Sequence, residues 1–139
     1  MTTQDLDDKK LYQLVLGIAD YCYQILSEIP EDEKYPMLYT LRSNAFEITG
    51  AIAEAYASVD PRDRHWKLGS TRRSIFGLQN ALQQAHKRGY IKLNPDVMLH
   101  IKEAITIINT DLGASKLEFA EYLAMLDPDT YKHKNGKEI

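Results

Sequence analysis

Residues 70–90, STRRSIFGLQNALQQAHKRGY, decide the fold. Apolar side chains recur in this stretch at intervals of three or four residues, which places them on one side of an α-helix. This inward set comprises Ile75, Leu78, Leu82 and Ala85. The opposite side of the same helix comprises Arg73, Gly77, Asn80, Gln84 and Lys87. The pattern predicts an amphipathic helix with a positively charged outer face, ended by Gly89.

Two segments before this stretch show the same periodicity. The first predicted helix runs from about residue 5 to residue 28, and Pro30 ends it. The second starts at Pro36, a residue suited to the first turn of a helix, and reaches about residue 57. Two acidic residues of this second helix, Glu47 and Glu54, fall on the side away from its apolar stripe.

The third predicted helix, which contains residues 70–90, has two alternative starts. It begins at Pro61, directly after the capping residue Asp60, or at Ser70, which follows Gly69 and offers a second cap.

The fourth predicted helix starts at Pro95 and ends near Gly113. A capping box, Ser115 with Glu118, then indicates a further short helix. Its predicted buried residues are Phe119, Tyr122, Leu123 and Leu126. A single bent helix across Gly113 is the alternative.

The four long amphipathic segments are joined by short links, and no segment alternates as a strand would. The sequence therefore predicts an all-α protein, an antiparallel up-down four-helix bundle with a short extra C-terminal helix. We expect residues 1–126 to form a single domain and the polar residues 127–139 to form a flexible tail.

Composition and motifs argue against catalysis. The single cysteine, Cys22, lies on an apolar stripe and excludes both an internal disulfide and a cysteine-based zinc site. The four histidines have no ligand spacing, and the chain has no glycine-rich phosphate loop and no nucleophile elbow. We expect no enzyme activity, no catalytic residue, no metal, no cofactor and no small-molecule substrate. With no signal peptide and no membrane-length apolar run, a cytoplasmic location without membrane contact follows.

Charge is distributed unevenly along the chain. Residues 61–102 carry nine lysines and arginines against two aspartates, a net charge of +7. The remainder carries eight basic and eighteen acidic residues, a net charge of −10. Such separation indicates an anion-binding surface or charge-complementary self-association.

The basic helix supplies the candidate site for nucleic acid or an acidic partner. The residues that would contact such a partner are Arg72, Arg73, Asn80, Gln84, Lys87 and Arg88. Lysine and arginine neutralise phosphates, and the amides add hydrogen bonds to backbone or sugar. Trp66, Phe76 and Tyr90 are candidates for stacking on unpaired bases. The alternative is an ordinary solvated helix face, with Phe76 and Tyr90 as packing residues.

A second set of residues is predicted to contact a neighbouring subunit. Gly50 and Gly77 lie on outer helix faces, where small residues allow another helix to approach closely. The acidic side of the second helix and the basic side of the third are complementary patches for a heterologous contact, which can close into a ring. The candidate interface comprises Glu47, Gly50, Glu54, Phe76 and Gly77.

Two stretches resemble a known family. Residues 35–57, YPMLYTLRSNAFEITGAIAEAYA, resemble the second helix of the four-helix-bundle proteins encoded in intervening sequences of 23S ribosomal RNA genes, with Arg42 and 52–54 (Ile-Ala-Glu) in the matching places. Residues 70–91 resemble the third helix of that family. The matching residues there are Ser74, Gly77, Leu78, Leu82, Ala85, Gly89, Tyr90 and Ile91. Residues 60–66, DPRDRHW, and the third helix are also similar to the related accessory variability proteins of diversity-generating retroelements.

The resemblance, which covers about residues 10–112, implies a homo-oligomer, typically a five-fold ring, without enzymatic activity. The accessory branch implies nucleic-acid binding through a basic surface and a reverse transcriptase as partner. We therefore expect a non-catalytic accessory protein of nucleic-acid metabolism that forms a pentameric ring and binds RNA, DNA or a reverse-transcriptase-type partner. The alternative is a protein–protein scaffold that never contacts nucleic acid and uses its basic face between subunits.

Overall fold

A computed structural model describes residues 2–126, with all side chains except those at positions 34, 35, 115, 118, 119, 122 and 126. This part of the chain is all-helical, as predicted, and contains no strand. The five α-helices are α1 (Thr3–Asp7), α2 (Lys10–Ile25), α3 (Tyr39–Ala57), α4 (Pro61–Lys87) and α5 (Pro95–Leu126). The predicted tail, residues 127–139, lies outside the described residues.

The first predicted helix is divided in the structure into α1 and α2. A capping box starts α1: the Asp5 amide donates to Thr2 Oγ1 over 3.1 Å, and the Thr2 amide donates to the Asp5 carboxylate over 2.8 Å. The two helices are separated at Asp8 and Lys9. A 3₁₀ turn, Leu26–Glu28, follows α2.

The second predicted helix begins later than expected. Pro36 lies in a π-helical turn, Lys34–Leu38, and regular α-helical geometry starts at Tyr39. Proline has no amide hydrogen to donate, so a residue like Pro36 is tolerated only before the regular hydrogen-bond ladder is established.

The start of α4 is settled in favour of Pro61. The Asp60 carboxylate accepts a hydrogen bond from the Arg62 amide over 2.9 Å, and Pro61 occupies the first turn. The helix ends as predicted before Gly89, which has a positive φ of 80°. Glycine reaches this left-handed conformation without steric cost, and the Tyr90 amide then donates back to the Ala85 carbonyl over 2.9 Å.

The expected extra C-terminal helix is wrong as a separate element, because α5 is one helix of 32 residues that passes through Gly113. One interior glycine costs a helix only about 1 kcal/mol relative to alanine, which is too little to end it. The side chains of Ser115 and Glu118, the predicted capping box, lie outside the described side chains, as do those of Phe119, Tyr122 and Leu126. Leu123 is half-buried.

Each of the four long helices packs mainly against two others: α2 and α4 both contact α3 and α5. Polar contacts near both ends of α2 join it to other parts of the chain. The Lys10 ammonium lies 3.5 Å from Glu103 at one end of α2. The Tyr21 hydroxyl donates to the Lys92 carbonyl over 3.3 Å near the other end.

The core is formed by the predicted apolar stripes. Ile75, Leu78, Leu82 and Ala85 are all fully buried, which confirms the inward set of α4. Thr71 is the buried polar residue of the described chain, and its hydroxyl donates to the Lys67 carbonyl over 2.8 Å. Cys22 is also buried, and burial raises the pKa of its thiol to about 12. This thiol is therefore an apolar core group rather than a nucleophile.

Candidate nucleic-acid interface

The face of α4 that points away from the core carries the candidate site. Because α4 packs between α3 and α5, its surface residues divide into a flank toward each neighbour and an outward strip. The outward strip comprises Trp66, Arg73, Asn80, Gln84 and Lys87, and all five are exposed. Arg88 follows at the end of the helix and is also exposed.

The flank toward α5 holds Arg72. Its Nε donates a hydrogen bond to Asn109 Oδ1 over 2.8 Å, and its guanidinium lies 4.9 Å from the centre of the Phe76 ring. The bond to Asn109 holds Arg72 against α5, and the contact with Phe76 holds it along α4 itself. The structure therefore separates Arg72 from the other predicted binding residues, although it is the sequence neighbour of Arg73.

The flank toward α3 is charge-paired within the chain. The Lys67 ammonium lies 2.8 Å from Glu54 and 4.0 Å from Asp63, and the hydrogen bond with Glu54 raises the pKa of Lys67. The Ser74 hydroxyl donates to Glu47 over 3.5 Å. The complementary contact that the sequence analysis placed between subunits is thus also found between α3 and α4 of one chain.

Gly77 belongs to this same flank. A Cβ atom at position 77 would lie 2.9 Å from the side-chain nitrogen of Asn44 on α3. Its lack of a side chain therefore allows a close approach inside the chain, which is a different reason from the predicted subunit contact. Gly50 differs, because a Cβ there would meet nothing within 4 Å.

The outward strip contains cations without partners. Among the described residues, neither Arg73 nor Lys87 forms an ion pair or a side-chain hydrogen bond, and the same holds for Arg88. Asn80 and Gln84 lie between the two cations of the strip, with their amides exposed. The strip therefore presents positive charge and free hydrogen-bonding groups to an external anion.

The three candidate stacking residues are in different environments. The Tyr90 hydroxyl donates to Glu33 over 2.7 Å, and this bond raises the pKa of Tyr90. Phe76 is 43% exposed but has Arg72 over its ring. Trp66 is 67% exposed and has no such cover from a described residue. Of the three, Trp66 alone lies on the outward strip.

The sequence analysis missed Phe46, which is 76% exposed on α3. It lies one turn before Gly50, and both line an open pocket of about 300 Å³ that also includes Glu54, Lys67 and Ser70. The helical position of Phe46, beside Gly50 on the outer face of α3, is the signal that could have identified it.

Metal sites and membrane-spanning helices are two further features that the described part of the chain could contain. Its side chains include no group of three or more histidine, cysteine, aspartate or glutamate residues placed to hold a metal ion. None of its helices combines the length and apolar character needed to cross a membrane.

Comparison with protein-family models, curated proteins and solved structures finds no match to this chain.

Proposed function

We propose that the protein is a non-catalytic, homo-oligomeric adaptor of nucleic-acid metabolism that binds RNA or DNA through the outward strip of α4. The observation that carries this proposal is the contrast in partners along α4. Lys67 and Arg72 are occupied by contacts within the chain, whereas Arg73, Lys87 and Arg88 are exposed without a described partner. Basic side chains left free on one surface are the usual means of neutralising phosphates.

The proposed arrangement is an antiparallel up-down four-helix bundle in the cytoplasm. The end-to-end contacts support it: Tyr56, near the end of α3, lies beneath Lys9 at the start of α2, with the ammonium 5.4 Å from the ring centre. Tyr56 also donates to Asp111 of α5 over 3.2 Å. In such a bundle α4 exposes one continuous face along its whole length.

The resemblance to the ribosomal intervening-sequence proteins and to the accessory variability proteins extends the proposal. On that basis the oligomer is a five-membered ring, and a reverse transcriptase is the candidate protein partner. The exposed residues on α3 that would contact the next subunit are Phe46, Glu47, Gly50 and Glu54.

Charge reversal tests the proposal. We expect the double variant R73E/K87E to lose at least tenfold in affinity for a labelled 20-nucleotide RNA or DNA, measured by fluorescence anisotropy at fixed salt. Both side chains are exposed, so the unfolding midpoint in urea should hardly change.

The matched control is R42E/K116E, which makes the same change in net charge at exposed positions outside α4 that form no described ion pair. It should bind nearly as well as the unmodified protein. Equal losses in both double variants would indicate a net-charge effect and reject α4 as the binding surface. Absence of binding by the unmodified protein would reject nucleic acid altogether.

The second candidate function is a protein–protein scaffold that does not bind nucleic acid. The exposed Phe46 beside Gly50 supports a protein contact on α3 in either case, and failure of the unmodified protein to bind nucleic acid would favour the scaffold. A G50R variant is accommodated in the chain because the position is open, but it would obstruct a partner helix at this surface. If α3 forms the subunit contact, light scattering should give a lower mass for G50R than for G17R, a control at an equally open position on α2. Equal masses would exclude this surface as the contact.

A further inference from the structure

We propose that the outward strip of α4 binds single-stranded rather than duplex nucleic acid, with Trp66 stacking on an unpaired base. The inference rests on the proposed function, which requires nucleic acid but not a particular form of it. Beyond the proposed function, it states which form of nucleic acid is bound and gives Trp66 a role in binding. Tryptophan fluorescence then reports that contact directly.

The first argument is the placement of Trp66. The residue begins the outward strip two helical turns before Arg73, about 10 Å along the axis at 1.5 Å per residue. Its large ring is 67% exposed. An aromatic face beside a row of cations is the combination that binds single strands, because every base offers a π face and every nucleotide a phosphate.

The remaining residues of the outward strip also carry groups that bind a phosphate backbone. Asn80 and Gln84 carry amides that can donate to phosphate or sugar oxygens, and Lys87 and Arg88 carry positive charge at the far end. From Trp66 to Lys87 the strip comprises 22 residues, or about 32 Å along the axis at 1.5 Å per residue. The flexible backbone of a single strand can run along such a row of side chains, whereas each strand of a duplex winds away from it.

The third argument concerns what α4 cannot do. A recognition helix enters the major groove, which is about 12 Å wide. Packed neighbouring helices usually lie 8–10 Å away, and α4 has α3 on one side and α5 on the other. Those neighbours would meet the sugar–phosphate backbones before α4 reached the base edges. In a duplex, moreover, the base faces are stacked and closed to Trp66.

Nearby carboxylates limit where the phosphates of a bound strand could lie. Glu47 and Glu54 line the α3 side of the neighbouring pocket, and of these two glutamates Lys67 pairs directly with Glu54. Asp63 lies one turn before Lys67 on α4. Phosphates would therefore pass along the outer edge of α4, toward Arg73, rather than over the groove between α3 and α4.

Trp66 is the single tryptophan of the chain, so its fluorescence reports this contact alone. The full chain would be titrated with a 20-nucleotide oligo(dT), an oligo(U) of the same length and a 20-base-pair DNA duplex. Anisotropy of a label on the nucleic acid gives affinity, and tryptophan emission gives stacking. We expect tighter binding to both single strands than to duplex, with quenching of Trp66 only by the single strands.

Substitution separates stacking from charge. W66A should lose at least about fivefold in affinity for oligo(dT), since one stacked base contributes that much or more, and should bind duplex as the unmodified protein does. W66F should keep much of the affinity. The control is Y23A, which removes a 44% exposed aromatic from α2, a helix that packs mainly on α3 and α5; Y23A should bind unchanged.

The outcomes distinguish the two proposals. Binding of single strand and duplex with equal affinity, without quenching and without loss in W66A, overturns the stacking inference but leaves the nucleic-acid function standing. No binding to any of the three probes overturns both. A W66A variant that changes oligomer mass rather than affinity also overturns the inference, because Trp66 would then lie between subunits.

Discussion

Arg72 and Arg73 are neighbours in the sequence, yet they belong to different regions of the molecule. Arg72 lies on the flank of α4 toward α5, called the seam from here on, where its guanidinium bonds to Asn109 and covers the Phe76 ring. Arg73 lies on the outward strip with no described partner. One step along a helix turns a side chain by about 100°. That rotation is enough to convert a structural cation into one available for binding.

Substitutions in the seam and in the outward strip should therefore change different measured quantities. Changes in the seam should alter the free energy of unfolding and leave affinity intact. Changes in the outward strip should do the reverse. Substitutions can test whether the free energy of unfolding and the nucleic-acid affinity change independently.

The largest expected effect is on the buried side of the same helix. Ile75 is fully buried, and I75A should lower the free energy of unfolding by about 2–5 kcal/mol, because the deletion removes buried methyl groups and leaves a cavity. Urea denaturation followed by circular dichroism measures this loss. Nucleic-acid affinity should stay unchanged wherever the variant remains folded; a parallel loss of affinity would show that the strip depends on core packing.

Tyr56 gives the next effect and a pH signature. Y56F removes the hydrogen bond to Asp111 and should cost about 1 kcal/mol at neutral pH. Burial, with the nearby Asp111 charge, raises the pKa of Tyr56 above that of an unfolded tyrosine. The folded state thus favours the protonated hydroxyl, and the resulting stability is complete below pH 10 and falls as the pH rises above it.

The same variant supplies the check on that pH dependence. Chemical denaturation between pH 8 and 11 should give a smaller alkaline loss in Y56F than in the unmodified protein. Identical slopes in both proteins would assign the alkaline loss to other groups.

The arginine pair tests the comparison itself. R72A should cost about 1 kcal/mol in the free energy of unfolding, since it removes a hydrogen bond and a cation–π contact. R73A should change that free energy by less than about 0.5 kcal/mol. In the binding assay the order should reverse, with R73A the weaker binder. Equal behaviour of the two variants in both assays would remove the distinction between seam and strip.

The smallest effects come from the two outer-face glycines. G50A should stabilise the protein by about 0.4–1 kcal/mol, because the position is open and alanine favours the helix. G77A should gain less, since its new Cβ would press on Asn44. Thermal unfolding of the two variants side by side measures the difference. A larger gain for G77A would contradict the close approach of α3 and α4 at this position.

Much of the helical framework was predictable from sequence. The apolar periodicity identified the inward residues of α4, and Gly89 marked its end, whereas the sequence left its start open between Pro61 and Ser70. Gly113 was misjudged because a glycine signals a helix end only when the chain must adopt a positive φ, as at Gly89. The residues around Gly113 do not by themselves show whether the helix continues through it.

The candidate site was predictable only in outline. Helical phase separated core from surface, but it could not distinguish the two flanks of α4, because their partners are far away in sequence. Asn109 is 37 residues from Arg72, and Glu54 is 13 residues from Lys67. Only the packed structure showed that Arg72 and Gly77 form contacts within the chain, and that Arg73, Lys87 and Trp66 have no partner among the described residues.

The salt dependence of nucleic-acid affinity is the most direct test of the outward strip. If the phosphates are neutralised by Arg73, Lys87 and Arg88, a plot of log affinity against log salt for oligo(dT) should fall with a slope of about −2. R73E/K87E keeps only Arg88 of these three cations, so its slope should be about −0.7 or nearer to zero. A slope near zero for the unmodified protein, or the same slope in both proteins, would contradict phosphate binding by this surface.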